Sequence, residues 1–303
     1  NLESYLGDRY NVSIASSSAA PSGDDDFVAK CKDSSDLYGL WTCQDQSTGD
    51  LADGATVMTD QSGNSRPDIS AHVGSTGNWQ VEDSSPPDAS MDSLSKYVST
   101  DASDLDSSNF ASIDSGIAPI SSDTDSSSGF VVLYLPSEYL SGNSKVELVC
   151  YDGSGSSPTA ASGAMMLGGY ASNWPSSVKY LHSANMASDT SFNPGSGGNS
   201  GTDSWQSGAW TFFGWRLVAD GSGGFTTYCY VQKLGSSWGT NQTSWNQGQT
   251  VFATLKDGLR FGYNSTSLAG SAGTAWAAHG IFSSDIGVGS SGVTLRTIFE
   301  TIS

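Results

Sequence analysis

Basic residues are scarce in this chain. Its 303 residues include 12 Lys and Arg against 31 Asp and Glu, which gives a formal net charge of −19. Such a field repels nucleic acid and anionic membrane surfaces, and no basic patch with interleaved aromatic residues reverses it. No run of 18 apolar residues occurs either. The sequence therefore excludes nucleic acid and membrane from the predicted partners.

Cysteine is also scarce, and its spacing excludes one kind of site. No two of Cys31, Cys43, Cys150 and Cys229 form the C-x-x-C spacing that is typical of structural zinc sites. Four cysteines allow three disulfide connectivities, of which Cys31–Cys43 with Cys150–Cys229 is the simplest. The alternative is buried thiols, because a thiol packs in a strand as a small hydrophobe.

Aspartate supplies most of the negative charge, with 26 Asp against 5 Glu. Residues 1–128 hold 22 acidic and 5 basic residues, whereas residues 129–303 hold 9 and 7. Leu2, Tyr5 and Leu6 share one short helical face, and Ser16–Asp26 is typical of a flexible linker. We therefore predict an N-terminal arm and linker at residues 1–30 and one domain at residues 31–303.

Strand signals are clearest after residue 128. The segments on either side of the Gly-rich turn at 220–224 predict a hairpin, as do those on either side of Asp257-Gly258. One helix is expected at Asp88–Val98. The predicted fold is an all-β antiparallel sandwich with long polar loops. Its clearest strands are Phe130–Leu135, Val146–Tyr151, Thr211–Ala219, Phe225–Lys233 and Leu259–Tyr263.

The order of these segments resembles a laminin G-like or concanavalin A-like jelly roll, of the kind found in phage virion and bacterial surface proteins. The strand Leu37-Tyr-Gly-Leu-Trp41, the turn Thr59-Asp60-Gln-Ser-Gly-Asn64 and Asn78-Trp79 resemble the opening of that family. The resemblance extends to about Ile302, and it implies that the stretch Ile281–Ile302 returns to the first strand. It also implies a calcium site at Asp60 and Asn64; solvated turns are the alternative.

A catalytic constellation is missing. Jelly-roll glycoside hydrolases place two carboxylates on one face of neighbouring strands, but the five Glu residues do not cluster and no E-x-D-x-x-E pattern occurs. His72, His182 and His279 are isolated from one another, so their spacing indicates neither a triad nor a metal cluster. We therefore predict that the chain is not an enzyme.

Tryptophan offers the clearest binding signal. Trp238 and Trp245 fall in the polar segment Gly235–Gln249 together with Asn241 and Gln247. Aromatic faces and amide groups there are predicted to stack on and hydrogen-bond a sugar; capping of the core by these tryptophans is the alternative. Trp210 and Trp215 are predicted to pack inside the sandwich.

The predicted function is that of a bacteriophage virion protein, such as a fibre, knob or capsid decoration, which contributes to attachment to host-surface glycans. The arm is expected to contact other virion proteins, and assembly as a homo-oligomer is left open. The location is then the virion surface or the extracellular medium. Two alternatives remain, namely a secreted bacterial carbohydrate-binding module and, less favoured, a divergent polysaccharide-cleaving enzyme.

Overall fold

A computed structural model describes residues 23–74, 79–83, 94–100, 109–114, 116–119, 124–135, 146–151, 165–169, 180–183, 209–222, 225–239, 242–247, 258–262 and 274–302. In these ranges the chain forms sixteen strands and two helices, which confirms the predicted all-β sandwich. The elements are α1 Gly23–Lys32, β1 Leu37–Thr42, β2 Gly49–Leu51, β3 Thr56–Asp60, β4 Ile69–His72, β5 Trp79–Glu82, β6 Tyr97–Thr100, β7 Phe110–Ile113, β8 Ser127–Leu135, β9 Val146–Tyr151, β10 Met165–Gly169, β11 Tyr180–Ser183, β12 Ala209–Ala219, β13 Phe225–Lys233, β14 Gln242–Gln247, β15 Leu259–Phe261, β16 Ala275–Phe282 and α2 Leu295–Ile302.

The strands form two sheets. Sheet A has the order β1-β16-β8-β12-β13-β14, with β6, β5 and β2 added beside one end of β16, and sheet B has the order β4-β7-β15-β9-β10-β11. Strand β3 connects the two sheets because it pairs with both β1 and β4. All strand pairs among the described residues are antiparallel, as the hairpin signals predicted.

Sheet A is buried on both faces. Successive side chains of a strand point to opposite faces, so β12 directs Phe213, Trp215 and Leu217 toward sheet B and Trp210 and Phe212 away from it. The first set joins a core between the sheets, which we call the inter-sheet core. The second set joins a separate cluster on what we call the outer face of sheet A.

The two helices cover part of this outer face. Phe27 of α1 contacts Phe130 edge-on, with ring centroids 5.9 Å apart. Helix α2 is amphipathic, and the residues it buries in the outer cluster are Leu295, Ile298, Phe299 and Ile302. Neither helix, among the residues that the structure describes, is long and apolar enough to cross a membrane.

A glycine allows the central strands of sheet A to pack closely. Gly129 of β8 lies opposite Trp215 and Ile281 in the ladder. A Cβ atom at this position would lie 2.5 Å from the Trp215 ring and 2.6 Å from the carbonyl oxygen of Gly280. Only glycine leaves this space, because a backbone oxygen cannot move aside cheaply.

Several sequence predictions are confirmed in detail. The segments around the Gly-rich turn form the β12–β13 hairpin, and Val146–Tyr151 forms β9. The C-terminal part of the chain does return to the first strand, because β16 pairs with β1. The chain after β16 is a helix rather than a further strand. For the Asp257-Gly258 hairpin, the first segment lies outside the described residues, and β15 pairs with β7 and β9.

The prediction of a helix at Asp88–Val98 is wrong for residues 94–98, the part of this range that the structure describes. Tyr97 and Val98 begin β6, which pairs with β5 and β16. Leu94 and Val98 share a helical spacing, yet Leu94 packs in the outer cluster and Val98 in the inter-sheet core. Burial of the aromatic Tyr97 and the β-branched Val98 in the folded protein favours a strand here, although the spacing of apolar residues is helical.

Helix α1 extends across the predicted boundary between arm and domain at residue 31. Residues 23–30 are helical, and Phe27 is fully buried. Residues 1–22 of the predicted arm lie outside the described residues. The part of the arm that is described therefore packs on the sandwich instead of linking to it.

The simplest disulfide pattern is wrong for its first pair. Cys31 and Cys43 do not form a disulfide with each other. Cys31 belongs to the outer cluster and Cys43 to the inter-sheet core, so the sheet separates them. Burial raises the pKa of the Cys31 thiol well above its usual range, which keeps it protonated and inert. The side chains of Cys150 and Cys229 lie outside the described residues.

Candidate functional site

Trp238 lies on the outer face of sheet A, in the turn that follows β13. Its ring packs on three aromatic rings, with centroid distances of 5.4 Å to Phe299, 5.7 Å to Tyr230 and 6.3 Å to Phe212. The side chain is half-buried. Trp238 therefore caps the outer cluster and still keeps part of its ring accessible.

Hydrogen bonds hold this turn in place. Gln232 is 3 % exposed, and its Oε1 accepts a hydrogen bond of 2.9 Å from the backbone N–H of Gly239. Ser236 Oγ donates to the carbonyl of Lys233 at 2.6 Å. Gly235 has a φ of 78°, a conformation that favours glycine at the start of the turn. The turn thus presents Trp238 from a fixed position.

The side chains of the other predicted sugar-binding residues lie outside the described part of the chain, and backbone pairing gives a register position for two of them. The segment predicted as a loop contains β14, in which Trp245 pairs with Thr227. Thr227 in turn pairs with Leu217, whose side chain is in the inter-sheet core. Trp245 thus occupies a register row of the face opposite to Trp238. Gln247 pairs with Phe225, two positions from Thr227 and so on that same face, and Asn241 lies outside the described residues.

An arginine on the outer face is linked to Trp238 through Tyr230, which contacts both side chains. Arg216 of β12 forms a two-pronged ion pair with Asp285, in which Nε and one terminal nitrogen each donate at 2.5 Å. Its other terminal nitrogen donates to the Tyr230 hydroxyl at 2.9 Å, and the guanidinium stacks over Tyr228 at 4.8 Å. The backbone N–H of Gly287 donates to Asp285 at 3.0 Å and orients this carboxylate.

The ion pair changes the titration of Arg216. The hydrogen bond to Asp285 raises the pKa of the guanidinium further, and this effect exceeds the lowering by partial burial. The side chains of Arg216 and Asp285 are 17 % and 21 % exposed, so the pair is reachable from solvent but not fully hydrated. A charged donor and a charged acceptor are thus fixed next to the half-buried ring of Tyr228 and the buried ring of Tyr230.

This group of residues has the chemistry of a polar-ligand site. Trp238 and Tyr228 offer aromatic faces, and Arg216 with Asp285 offers both donors and acceptors; we call these four residues and Tyr230 the Trp238 surface. Sequence reasoning missed Arg216, Asp285 and the tyrosines. The available signal was Arg216 itself, the one charged residue in the apolar run Ala209–Ala219.

Asp60 and Asn64, the predicted calcium ligands, hold a turn together. Asp60 Oδ1 accepts from the backbone N–H groups of Leu40 and Ser62, and Oδ2 accepts from Ser62 Oγ and the N–H of Arg66. Four donors fill the four lone-pair positions of a carboxylate. Asn64 donates its amide to the Leu37 carbonyl at 2.6 Å. This bonding does not fit a calcium ligand set, and calcium binding here stays a prediction.

Two further polar clusters lie among the described residues. Glu82 accepts hydrogen bonds from Gln80, Tyr97 and Ser99, and burial together with the Glu82 charge raises the pKa of the Tyr97 hydroxyl. On sheet B, His72 Nε2 and Ser112 Oγ are 2.7 Å apart, and Ser112 donates to Asp114.

The second of these clusters is not a catalytic triad. The Asp114 carboxylate bonds the serine, whereas a triad requires the carboxylate to orient the histidine. In the part of the chain that the structure describes, no group of three or more His, Cys, Asp or Glu side chains is arranged to hold a metal ion.

Comparison with known proteins relates this chain to others by fold alone. No family model and no curated protein sequence matches it. Among solved structures, it is similar to the binding domain of Paraclostridial Mosquitocidal Protein 1, with a TM-score of 0.51 and 10% identity over 90% of this chain and 52% of the other.

Two further structures share the architecture. The receptor binding domain of botulinum neurotoxin C/D mosaic serotype gives a TM-score of 0.50 and 10% identity over 88% of this chain and 51% of the other. Domain 4 of an extracellular arabinanase from Geobacillus stearothermophilus, in complex with arabinotriose, gives 0.47 and 14% over 88% and 98%. The chain spans about half the length of the two toxin domains. The similarity to the two toxin domains establishes a shared β-sandwich fold.

Proposed function

We propose that this chain is a glycan-binding β-sandwich whose ligand lies on the Trp238 surface. The observation that carries the proposal is that the half-buried Trp238 and Tyr228 and the partly exposed Arg216–Asp285 pair all lie on the outer face of sheet A, where the buried Tyr230 contacts both Trp238 and Arg216. A sugar ring has an apolar face that stacks on an aromatic ring, and its hydroxyl groups both donate and accept hydrogen bonds.

Rigid positioning supports the proposal. Gln232 clamps the turn that carries Trp238, and Gly287 orients Asp285, so little conformational entropy is lost when a ligand binds. The similar fold of two toxin binding domains is compatible with a binding role. The register of β14 adds Ser244, opposite Tyr228, to the same row.

The test is binding to immobilised oligosaccharides by matched variants. We expect Trp238→Ala to weaken binding roughly tenfold or more, as removal of a central aromatic contact does. Tyr228→Leu should also weaken it, and this variant spares the core cap. Trp245→Ala is the control, because its register row is on the opposite face.

Thermal unfolding of each variant separates a lost contact from a lost fold. Equal losses in Trp238→Ala and Trp245→Ala, or unchanged binding in folded Trp238→Ala and Tyr228→Leu, would contradict the proposed location. Failure of the wild-type protein to bind across a broad panel of glycans would contradict the function itself.

We place this binding surface on a bacteriophage virion, with residues 1–22 as the segment that contacts other virion proteins. The reasons for this proposal are the acidic, Lys-poor sequence and the predicted N-terminal arm. Deletion of residues 1–22 should then abolish cosedimentation with particles and leave glycan binding intact. A free secreted carbohydrate-binding module, the alternative, would never cosediment.

A further inference from the structure

We infer that the Trp238 surface selects uncharged sugars and rejects carboxylated ones, because Asp285 already occupies the arginine that an acidic sugar would need. This inference rests on the proposed function and specifies its ligand class.

The geometry of the ion pair limits how Arg216 can bind an acidic sugar. An arginine binds a carboxylate best through two parallel N–H groups, and Asp285 takes up one such pair on Arg216. Tyr230 accepts a third N–H. A guanidinium has five N–H groups, and the described residues take up three of them. The edge formed by Nε and one terminal nitrogen is therefore closed to a ligand carboxylate.

The charges around Arg216 also disfavour an acidic ligand. Arg216 and Asp285 together are neutral, and the whole chain carries a formal charge of −19. A ligand carboxylate at Arg216 would lie next to the Asp285 carboxylate in a partly desolvated site, where like charges repel strongly. A neutral sugar meets no such penalty and can also donate a hydroxyl hydrogen to Asp285.

Stacking on Tyr228 limits the movement of the Arg216 guanidinium. Tyr228 covers one face of the guanidinium at 4.8 Å, which fixes the plane of Arg216. The guanidinium therefore cannot turn to offer a different edge to an incoming acid without losing both Asp285 and Tyr228. Selectivity against acidic sugars is built into the position of the arginine.

The experiment compares galactose oligosaccharides with galacturonic acid oligosaccharides, which differ in the oxidation state of C6. We expect the wild-type protein to prefer the neutral series by at least roughly tenfold. Asp285→Asn keeps the shape of the side chain and removes its charge. This variant should raise the ratio of acidic-series affinity to neutral-series affinity by about tenfold, because the acidic series no longer meets a like charge and the neutral series loses a carboxylate acceptor.

Glu300→Gln is the matched control. Glu300 also pairs with an arginine, Arg296, and its loss changes the net charge by the same amount, but the pair is an exposed one on α2. Affinity for both series should stay unchanged in this variant. An equal gain in Asp285→Asn and Glu300→Gln would show a general charge effect and overturn the inference.

The remaining outcomes separate the inference from the function. A wild-type protein that binds both series equally, with loss of both in Trp238→Ala, keeps the proposed function and overturns the selectivity. No rise in the ratio of acidic-series to neutral-series affinity in folded Asp285→Asn also overturns it. A wild-type protein that binds neither series nor any other glycan overturns both.

Discussion

The two faces of sheet A are buried in different ways. The face toward sheet B is closed from solvent over its described residues, and it packs rings such as Trp215 and Trp276 against the opposite sheet. The outer face is covered by α1 and α2 over Phe130 and Phe212, and beyond the helices it carries half-exposed rings and an ion pair. The same strand β12 contributes to both.

The difference shows how one strand can serve stability and binding at once. Side-chain alternation sends Trp215 to the closed core and leaves Arg216, its neighbour, on the open face. A substitution on the inner face is therefore expected to act on folding, and a substitution outside the helices is expected to act on ligand binding. Substitutions on each face test whether folding and ligand binding depend on different faces of the sheet.

The largest effect is expected on the inner face. Trp276 is 1 % exposed and contacts Trp79 and Phe261, with ring centroids 5.5 Å and 5.1 Å away. Trp276→Ala should lower the free energy of unfolding by ~3–5 kcal/mol, because sheets on both sides prevent the cavity from collapsing. Urea unfolding measures this; a loss below 1 kcal/mol would show that the inter-sheet core is loosely packed.

The second effect is expected under the helices. Leu295→Ala at the start of α2 should lower the free energy of unfolding by about 2–3 kcal/mol, at the low end for a buried leucine, because a surface helix can shift into the space. Hydrogen exchange should show faster opening of α2 than of β16. Equal protection of both elements would mean that the helices and the sandwich unfold as one unit.

The sequence predicted the closed face better than the open one. Apolar runs such as Phe130–Leu135 identified strands directly, because alternate residues of this run are buried in the two clusters and such burial leaves a continuous hydrophobic pattern. Trp238 is predicted to bind a sugar from its polar surroundings in the sequence. Arg216 and Asp285 lie 69 residues apart in the chain, and only the pairing of β12, β8 and β16 brings them together. Local spacing carries no signal for such a contact.

The strand that contains Trp245 could not be predicted from the sequence for a related reason. Gln242–Gln247 is polar and Ser/Thr-rich, so its composition is typical of a loop, and pairing with β13 makes it a strand. Once it is a strand, a change of one residue in register decides which face Trp245 occupies. Register is set by contacts across the sheet that composition does not encode.

The smallest expected effect is a dependence on pH that arises from the inner face. Burial lowers the pKa of His279 to about 3, from an ordinary value of 6.5. The unfolded chain therefore binds a proton below pH 6.5 that the folded chain does not, and stability falls as pH decreases through this range. His279 contributes about 1.4 kcal/mol of lost stability per pH unit in this range. The loss is complete only near the pKa of His279 in the folded protein.

Replacement of His279 tests this directly, since it removes the titrating group without touching the outer face. His279 packs beside Trp41, with ring centroids 5.8 Å apart, so His279→Phe retains an aromatic ring in the core. Between pH 6.5 and 5 the wild-type protein should lose about 2 kcal/mol more than this variant. Parallel pH profiles would instead place the acid sensitivity in the aspartates of the surface, and the closed face would then be indifferent to pH.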